Sequence, residues 1–222
     1  MGLFTTILVT FIMTPFMVNL LTYEEFMTEL EIKKRIMANF FQRHWDVLLV
    51  YTAFFVGMIV ALSLTFIFLP DETVEKLFQD QINEIKLIRG NFIFANTFLK
   101  ITTNNVGVLL LSVLFAFIFG SGAIFILSWN ASVLSAAIGL TAKSIGGVSG
   151  IPIAVITYLP HGVFEITAYF LGGIVGGMLS ALVMKKKNEL FGVMVKDGIK
   201  VLLVAIVLLV IGSAIETTLI VS

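Results

Sequence analysis

The sequence predicts an all-α fold: a polytopic transmembrane helical bundle of about six membrane crossings, with one discontinuous helix and an amphipathic surface hairpin. Three observations predict it. Hydrophobic residues make up 59% of the chain and charged ones 13%, where a soluble domain is nearer a quarter charged. Mean hydropathy is +1.06, and the apolar residues gather in runs close to the roughly 20 residues that a helix needs to cross a bilayer. The polar stretches between the runs keep a helical period. Residues 1–222 therefore read as a single integral membrane domain whose first partner is the lipid bilayer.

Composition also excludes function classes. Net charge is formally zero, so there is no basic footprint for nucleic acid. With no cysteine, there is no disulfide framework, thiol chemistry or cysteine metal site. No Lys or Arg precedes the first apolar run, which argues against a signal peptide. Met1-Gly2-Leu3-Phe4-Thr5-Thr6 fits a myristoylation pattern. The fit is weak, because the residues that follow already read as a span.

The first span is predicted over residues 2–22, with Pro15 inside it, as membrane helices tolerate. Residues 23–45 turn polar. Phe26, Leu30, Met37 and Phe41 recur at helical spacing, so an interfacial amphipathic helix is predicted there. Trp45 reads as a membrane-belt residue and His44 beside it as solvated. The second span covers 47–69 and stops at Pro70. Residues 70–104 carry Val74, Leu77, Phe78, Ile82 and Ile85 on one face and Glu75, Lys76, Asp80 and Glu84 on the other. A break at Gly90-Asn91 separates these from a second short helix, Phe92 to Ile101. The segment is predicted to lie outside the bilayer core, over the outer ends of spans three and four.

The third span is placed at 105–128, closed by Trp129-Asn130, with Gly120 and Gly122 inside it as sites of close helix approach. Residues 131–142 and 151–159 are apolar but short. Lys143-Ser144-Ile145-Gly146-Gly147 and Gly150-Ile151-Pro152 interrupt them, so 130–160 is predicted to be one broken helix. The fourth span, 161–184, holds Gly172, Gly173, Gly176 and Gly177. These suit close packing inside the bundle or a homodimer seam. The last span, 198–220, carries Glu216.

Positive charges near span ends set orientation. Lys33, Lys34, Arg35 and Arg43 after span one, and Lys185, Lys186, Lys187 and Lys196 before the last span, are placed inside. Segment 70–104 then falls outside, and residues 130–160 cross the membrane once. This topology brings Asn104, Asn105, His161, Glu165 and Glu216 to one level near the outer face.

Leu159-Pro160-His161-Gly162-Val163-Phe164-Glu165 is the focus of that level. Pro160 can end one segment, and His161 and Glu165, four apart, share a face of the next helix. Three readings stand for the cluster. Its members can cap and tie helices. They can line a polar pocket for a ligand, a proton or a lipid head group. His161, Glu165 and Glu216 can also hold a divalent ion, although His-x-x-x-Glu supplies only two ligands and no fuller metal motif is present. Asn130 is a secondary candidate. In the shared-site reading His161 donates to one carboxylate, and the other is protonated or held by Asn104 or Asn105. No nucleophile motif or phosphate loop occurs, so no catalytic residue or cofactor is assigned.

These residues also carry a resemblance. Asn104-Asn105 precedes a span, and Ile126-Leu127-Ser128-Trp129-Asn130-Ala131-Ser132-Val133 follows it. Leu159-Pro160-His161-Gly162 with Glu165, and then Ile215-Glu216, come in the same order. In this the chain resembles the stage II sporulation protein M family of integral membrane proteins, in its archaeal-type branch. Family members carry a proline soon after the last glutamate, where this chain has Thr217-Thr218-Leu219. Archaeal members begin with one more span, which implies that this N-terminus is short. The resemblance implies a cell-membrane, non-enzymatic component, a scaffold or partner-binding subunit that works with other membrane proteins. In spore formers the family acts with a peptidoglycan-degrading complex during engulfment. A small transporter or lipid-handling protein is the alternative, and a water-accessible cavity reaching His161 and Glu165 would favour it over a closed, packed bundle.

Overall fold

The computed structural model describes residues 2–33, 40–88, 94–120, 122–184 and 188–221. The regular elements among them are all helical: α1 (Gly2–Lys33), α2 (Phe40–Arg43), α3 (Trp45–Phe68), α4 (Asp71–Leu77), α5 (Gln79–Ile88), α6 (Phe94–Phe119), α7 (Ala123–Ile145), a 3₁₀ turn (Gly147–Gly150), α8 (Ile151–Met184) and α9 (Asn188–Val221). Five stretches are long and apolar enough to cross a membrane: α3, α6, α7, the 3₁₀ turn with α8, and α9. A shorter apolar stretch, Phe4–Leu20, lies in α1. The chain is an all-α polytopic bundle. The predicted break at Gly90-Asn91 and the basic groups Lys34-Arg35 and Lys185-Lys186-Lys187 lie outside the described residues.

Contacts fix the helix directions. Ser63 Oγ donates to the Ser135 carbonyl at 3.4 Å, and Lys143 Nζ to the Leu69 carbonyl at 2.8 Å, so α3 and α7 run parallel. Asn105 bonds Glu165, Leu109 meets Gly172 and Val113 meets Gly176, so α6 and α8 are also parallel. The hydroxyls of Thr141 and Tyr158 lie 3.0 Å apart across the turn that makes α7 and α8 antiparallel. Gly212 rests on Glu165 and Gly198 on Val175, so α9 returns antiparallel to α8. The main core joins Tyr51, Phe55, Leu109, Leu127, Leu171, Val175 and Leu209, with Met17 brought in from α1.

The end of the third span differs from the sequence reading. The third span ends at Phe119, and Trp129-Asn130 lies inside α7 rather than closing a helix. Gly120 adopts φ 69°, which strains any residue with a Cβ, and a Cβ at Gly122 would meet the Phe115 carbonyl oxygen at 2.2 Å. These glycines make a turn, not a close approach within one helix. Asn130 does not stop α7 because its amide Nδ2 donates to the Ile126 carbonyl at 2.8 Å in the same helix.

The break at Gly146–Gly150 is present, with Gly146 at φ 131° and Gly147 at φ 74°. The pieces beside it are not two halves of one crossing. Each is an end of a full-length helix, so the discontinuous helix is replaced by a tight hairpin between α7 and α8. Pro160 lies inside α8 and stops nothing, as membrane helices allow when neighbours support the freed carbonyl. The relative helix directions of the sequence reading are kept, because α7 takes the place assigned to 130–160.

Segment 70–104 also differs. Residues from Phe94 onward already belong to α6. Helices α4 and α5 do not lie over the span ends; they run down the flank of α7. Asp71 pairs with Lys143 at 2.6 Å, and Gln81, fully buried, donates to Ser132 Oγ at 3.2 Å. Those two partners are 11 residues apart on α7, roughly 16 Å at 1.5 Å per residue. The stripe Val74 and Phe78 packs on Phe66 and Ala136. An amphipathic pattern tells that a face is buried, not which surface buries it; here the small residues of α7 leave the room. His44 is buried, 4.5 Å from the Phe40 ring, rather than solvated, whereas Trp45 is exposed.

The glycines of α8 are used inside the chain. A Cβ at Gly176 would sit 2.3 Å from the Val113 carbonyl oxygen, and one at Gly173 would sit 2.7 Å from Ala123 Cβ. Residues 168–177 of α8 are buried without interruption, Gly177 included. Close packing is what these glycines do here; they do not line an outer seam for a second copy.

Candidate functional site

A cavity of about 770 Å³ opens between α3, α5, α6, α7, α8 and α9. It is lined by Asn104, Asn105, Asn130, His161, Glu165 and Glu216, so the polar residues singled out from the sequence stand round one space. Glu216 stands five residues before the end of α9, but Asn105 and Glu165 lie further from helix ends. Asn105 is 11 residues into α6 and Glu165 is 14 into α8, roughly 16 Å and 21 Å along the respective axes.

Asn105 holds a carboxylate, as the sequence reading allowed, but His161 does not. Asn105 Nδ2 donates to Glu165 Oε1 at 2.6 Å, and Tyr169 Oη donates to Asn105 Oδ1 at 3.0 Å. His161 takes no part. Its Nδ1 is buried with no hydrogen-bond partner, and its ring stands edge-on to Tyr158 with centroids 6.2 Å apart. His161 precedes Glu165 by four residues on the helix, but Gly212 of α9 is pressed against the Glu165 side chain, and the carboxylate is turned to α6 instead. Glu165 and Glu216 are close enough to interact electrostatically. Asn104 is more exposed than Asn105 and faces the mouth. Asn130 is turned to its own helix backbone.

No three His, Cys, Asp or Glu side chains among the described residues converge closely enough to hold a metal ion. The three-ligand reading of His161, Glu165 and Glu216 therefore has no geometric support.

Sequence reasoning missed several lining residues. Tyr169 sits one turn beyond Glu165 on the same face, so the spacing that joined His161 to Glu165 also pointed to it. Glu84 and Ile85 of α5 reach the cavity only because α5 lies against α7, which no local pattern reveals. Trp129, read as a span end, is a wall residue.

A bundle of membrane-length helices with carboxylates, amides and an imidazole round an internal cavity defines a polytopic α-helical membrane protein with a polar centre. The sequence model of the family described as stage II sporulation protein M matches residues 3–219. The chain belongs to that family. An uncharacterised protein of the archaeon Methanocaldococcus jannaschii is 31% identical over 170 residues, covering 72% of this chain and 88% of its own length. That relative supports the archaeal-type branch. No solved structure matches the chain.

Proposed function

We propose that the protein serves in the cell membrane as a non-enzymatic subunit, a scaffold that holds or positions other membrane proteins. The observation that carries this is the unbroken burial of residues 168–177 in α8, against glycine contacts at backbone distance on α6. Such packing makes one rigid body, as a scaffold needs, rather than two parts that rock against each other. The outer faces of α1, α3 and α9 keep large apolar side chains such as Phe11, Phe68 and Leu203 exposed for lipid or for partner helices. Cross-linking in native membranes, followed by purification of the full chain, tests this. A scaffold yields a defined partner in fixed stoichiometry, linked through those faces. A monomer that carries no partner overturns it.

The second reading is a small transporter or lipid-handling protein. The cavity favours it, because a fully closed bundle would leave no space at Glu165 and Glu216. Flux through liposomes containing the purified chain is the measurement that separates the two.

A further inference from the structure

We propose that the cavity is a binding site for a primary ammonium group carried on a hydrocarbon body, held between Glu165 and Glu216. The inference names a ligand class for the second reading above and rests on it only in treating the cavity as a site. Binding at equilibrium is measured apart from transport, so either can fail alone.

Charge comes first. Among the described residues the lining carries the carboxylates of Glu84, Glu165 and Glu216 against one lysine, Lys100. Carboxylates facing a cavity between apolar helices need a cation or a proton. Acceptor capacity comes second. One oxygen of Glu165 is satisfied by Asn105, which leaves the other; none of the described residues donates to Glu216. His161 also lines the cavity, but its Nδ1 is enclosed without a partner and is not open to that space. The spare oxygen of Glu165 and the two of Glu216 make three acceptors short of donors. A primary ammonium supplies three N–H donors and no acceptor. A quaternary ammonium supplies none, and a bare divalent ion finds no converging ligand set.

Shape comes third. The space is far larger than an ammonium head needs, and it falls in the range of about 300–1,000 Å³ usual for organic ligands. Phe55, Val108, Val133, Leu134, Ile166 and Leu219 wall the remainder. They suit a hydrocarbon body rather than a second charge, which disfavours a polyamine. Two sources share this chemistry: the head group of an aminolipid and a soluble alkylamine.

The test uses the full chain in nanodiscs of phosphatidylglycerol alone. Hexylamine, hexan-1-ol and hexyltrimethylammonium are titrated, with thermal stability and tryptophan fluorescence as readouts. The chain has two tryptophans, so Trp45→Phe leaves Trp129, on the cavity wall, as sole reporter. Hexylamine should raise Tm by several degrees and change Trp129 emission. The alcohol and the quaternary amine should bind about tenfold or more weakly, as expected for lost charge-assisted hydrogen bonds. Glu216→Gln should weaken hexylamine to a similar degree. Equal response to hexylamine and hexan-1-ol overturns the proposal, as does unaltered binding in Glu216→Gln. Should that variant fail to fold, the three-ligand comparison on the unmutated chain still decides. Nanodiscs doped with phosphatidylethanolamine separate the sources. Retention of that lipid by native mass spectrometry, displaced by hexylamine, supports the site and assigns it to lipid. Hexylamine binding without lipid retention supports the site and assigns it to a soluble amine. Neither binding overturns it.

Discussion

Asn105 of α6 joins Glu165 of α8 through an amide-to-carboxylate hydrogen bond of 2.6 Å. The amide faces both ways: its nitrogen donates to Glu165 and its oxygen accepts from Tyr169 at 3.0 Å. Two parallel helices are thereby registered at one residue. The same register sets Leu109 against Gly172 and Val113 against Gly176 further along.

Replacing Asn105 by Ala removes both bonds at once and leaves Glu165 and Tyr169 short of partners. A hydrogen bond to a charged group contributes about 1.5–3 kcal/mol and a neutral one about 1 kcal/mol. Asn105→Ala should therefore cost more than Tyr169→Phe, which removes only the second. The double variant should cost less than the sum, because the Tyr169 bond is already gone once Asn105 is Ala. Thermal unfolding of the four proteins in one detergent gives the cycle. Strict additivity would mean that the two bonds are not one network.

Gly176 tests the register from the other end. A Cβ there meets the Val113 carbonyl oxygen at 2.3 Å, while a Cβ at Gly107 meets nothing within 4 Å. Gly176→Ala should force α6 and α8 apart at a cost of about 1–3 kcal/mol. Gly107→Ala, on the same pair of helices, should be neutral or slightly stabilising, since Ala outranks Gly as a helix former by up to about 1 kcal/mol. Equal losses in both would show that the close approach is absent.

Much of this was legible in the sequence, for reasons that also explain what was not. Membrane helices announce themselves through long apolar runs, so α3, α8 and α9 were plain. The break at Gly146-Gly147 was legible because glycines beside Lys143 and Ser144 are poor span material. Gly120 and Gly122, in contrast, sit within apolar sequence. Turn and close approach read alike there, and only φ at Gly120 tells them apart. The residues of the cavity were legible because polar groups are rare in spans, and a parity argument placed them on one level. Their pairing was not. Hydrogen bonding depends on side-chain direction, and the spacing of His161 and Glu165 offered a partner that the packing of Gly212 against Glu165 takes away.

The seating of α5 on α7 is open to chemical labelling. The chain has no cysteine, so single replacements report cleanly. Gln81 is fully buried against Ser132, whereas its neighbour Asp80 is exposed. Asp80→Cys should react quickly with a small maleimide and Gln81→Cys slowly, until the protein is denatured. A hairpin lying loosely on the membrane surface would give similar rates at both positions.

His161 gives the last prediction, and the structure reverses its sign. Read as the donor to a carboxylate, His161 would be needed for stability. In the folded chain Asn105 fills that role, and His161 buries a nitrogen with no partner. An unsatisfied buried polar atom is a cost of about 1–3 kcal/mol, so its removal should not destabilise the bundle. His161→Phe keeps a ring beside Tyr158 and deletes both nitrogens. It should leave the unfolding temperature unchanged or raise it, while Asn105→Ala lowers it. His161→Phe should also leave hexylamine binding unchanged, because the enclosed Nδ1 does not meet the cavity. Loss of folding in His161→Phe would show instead that the imidazole has a structural partner, and the assignment of Asn105 as the chief donor to Glu165 would have to be withdrawn.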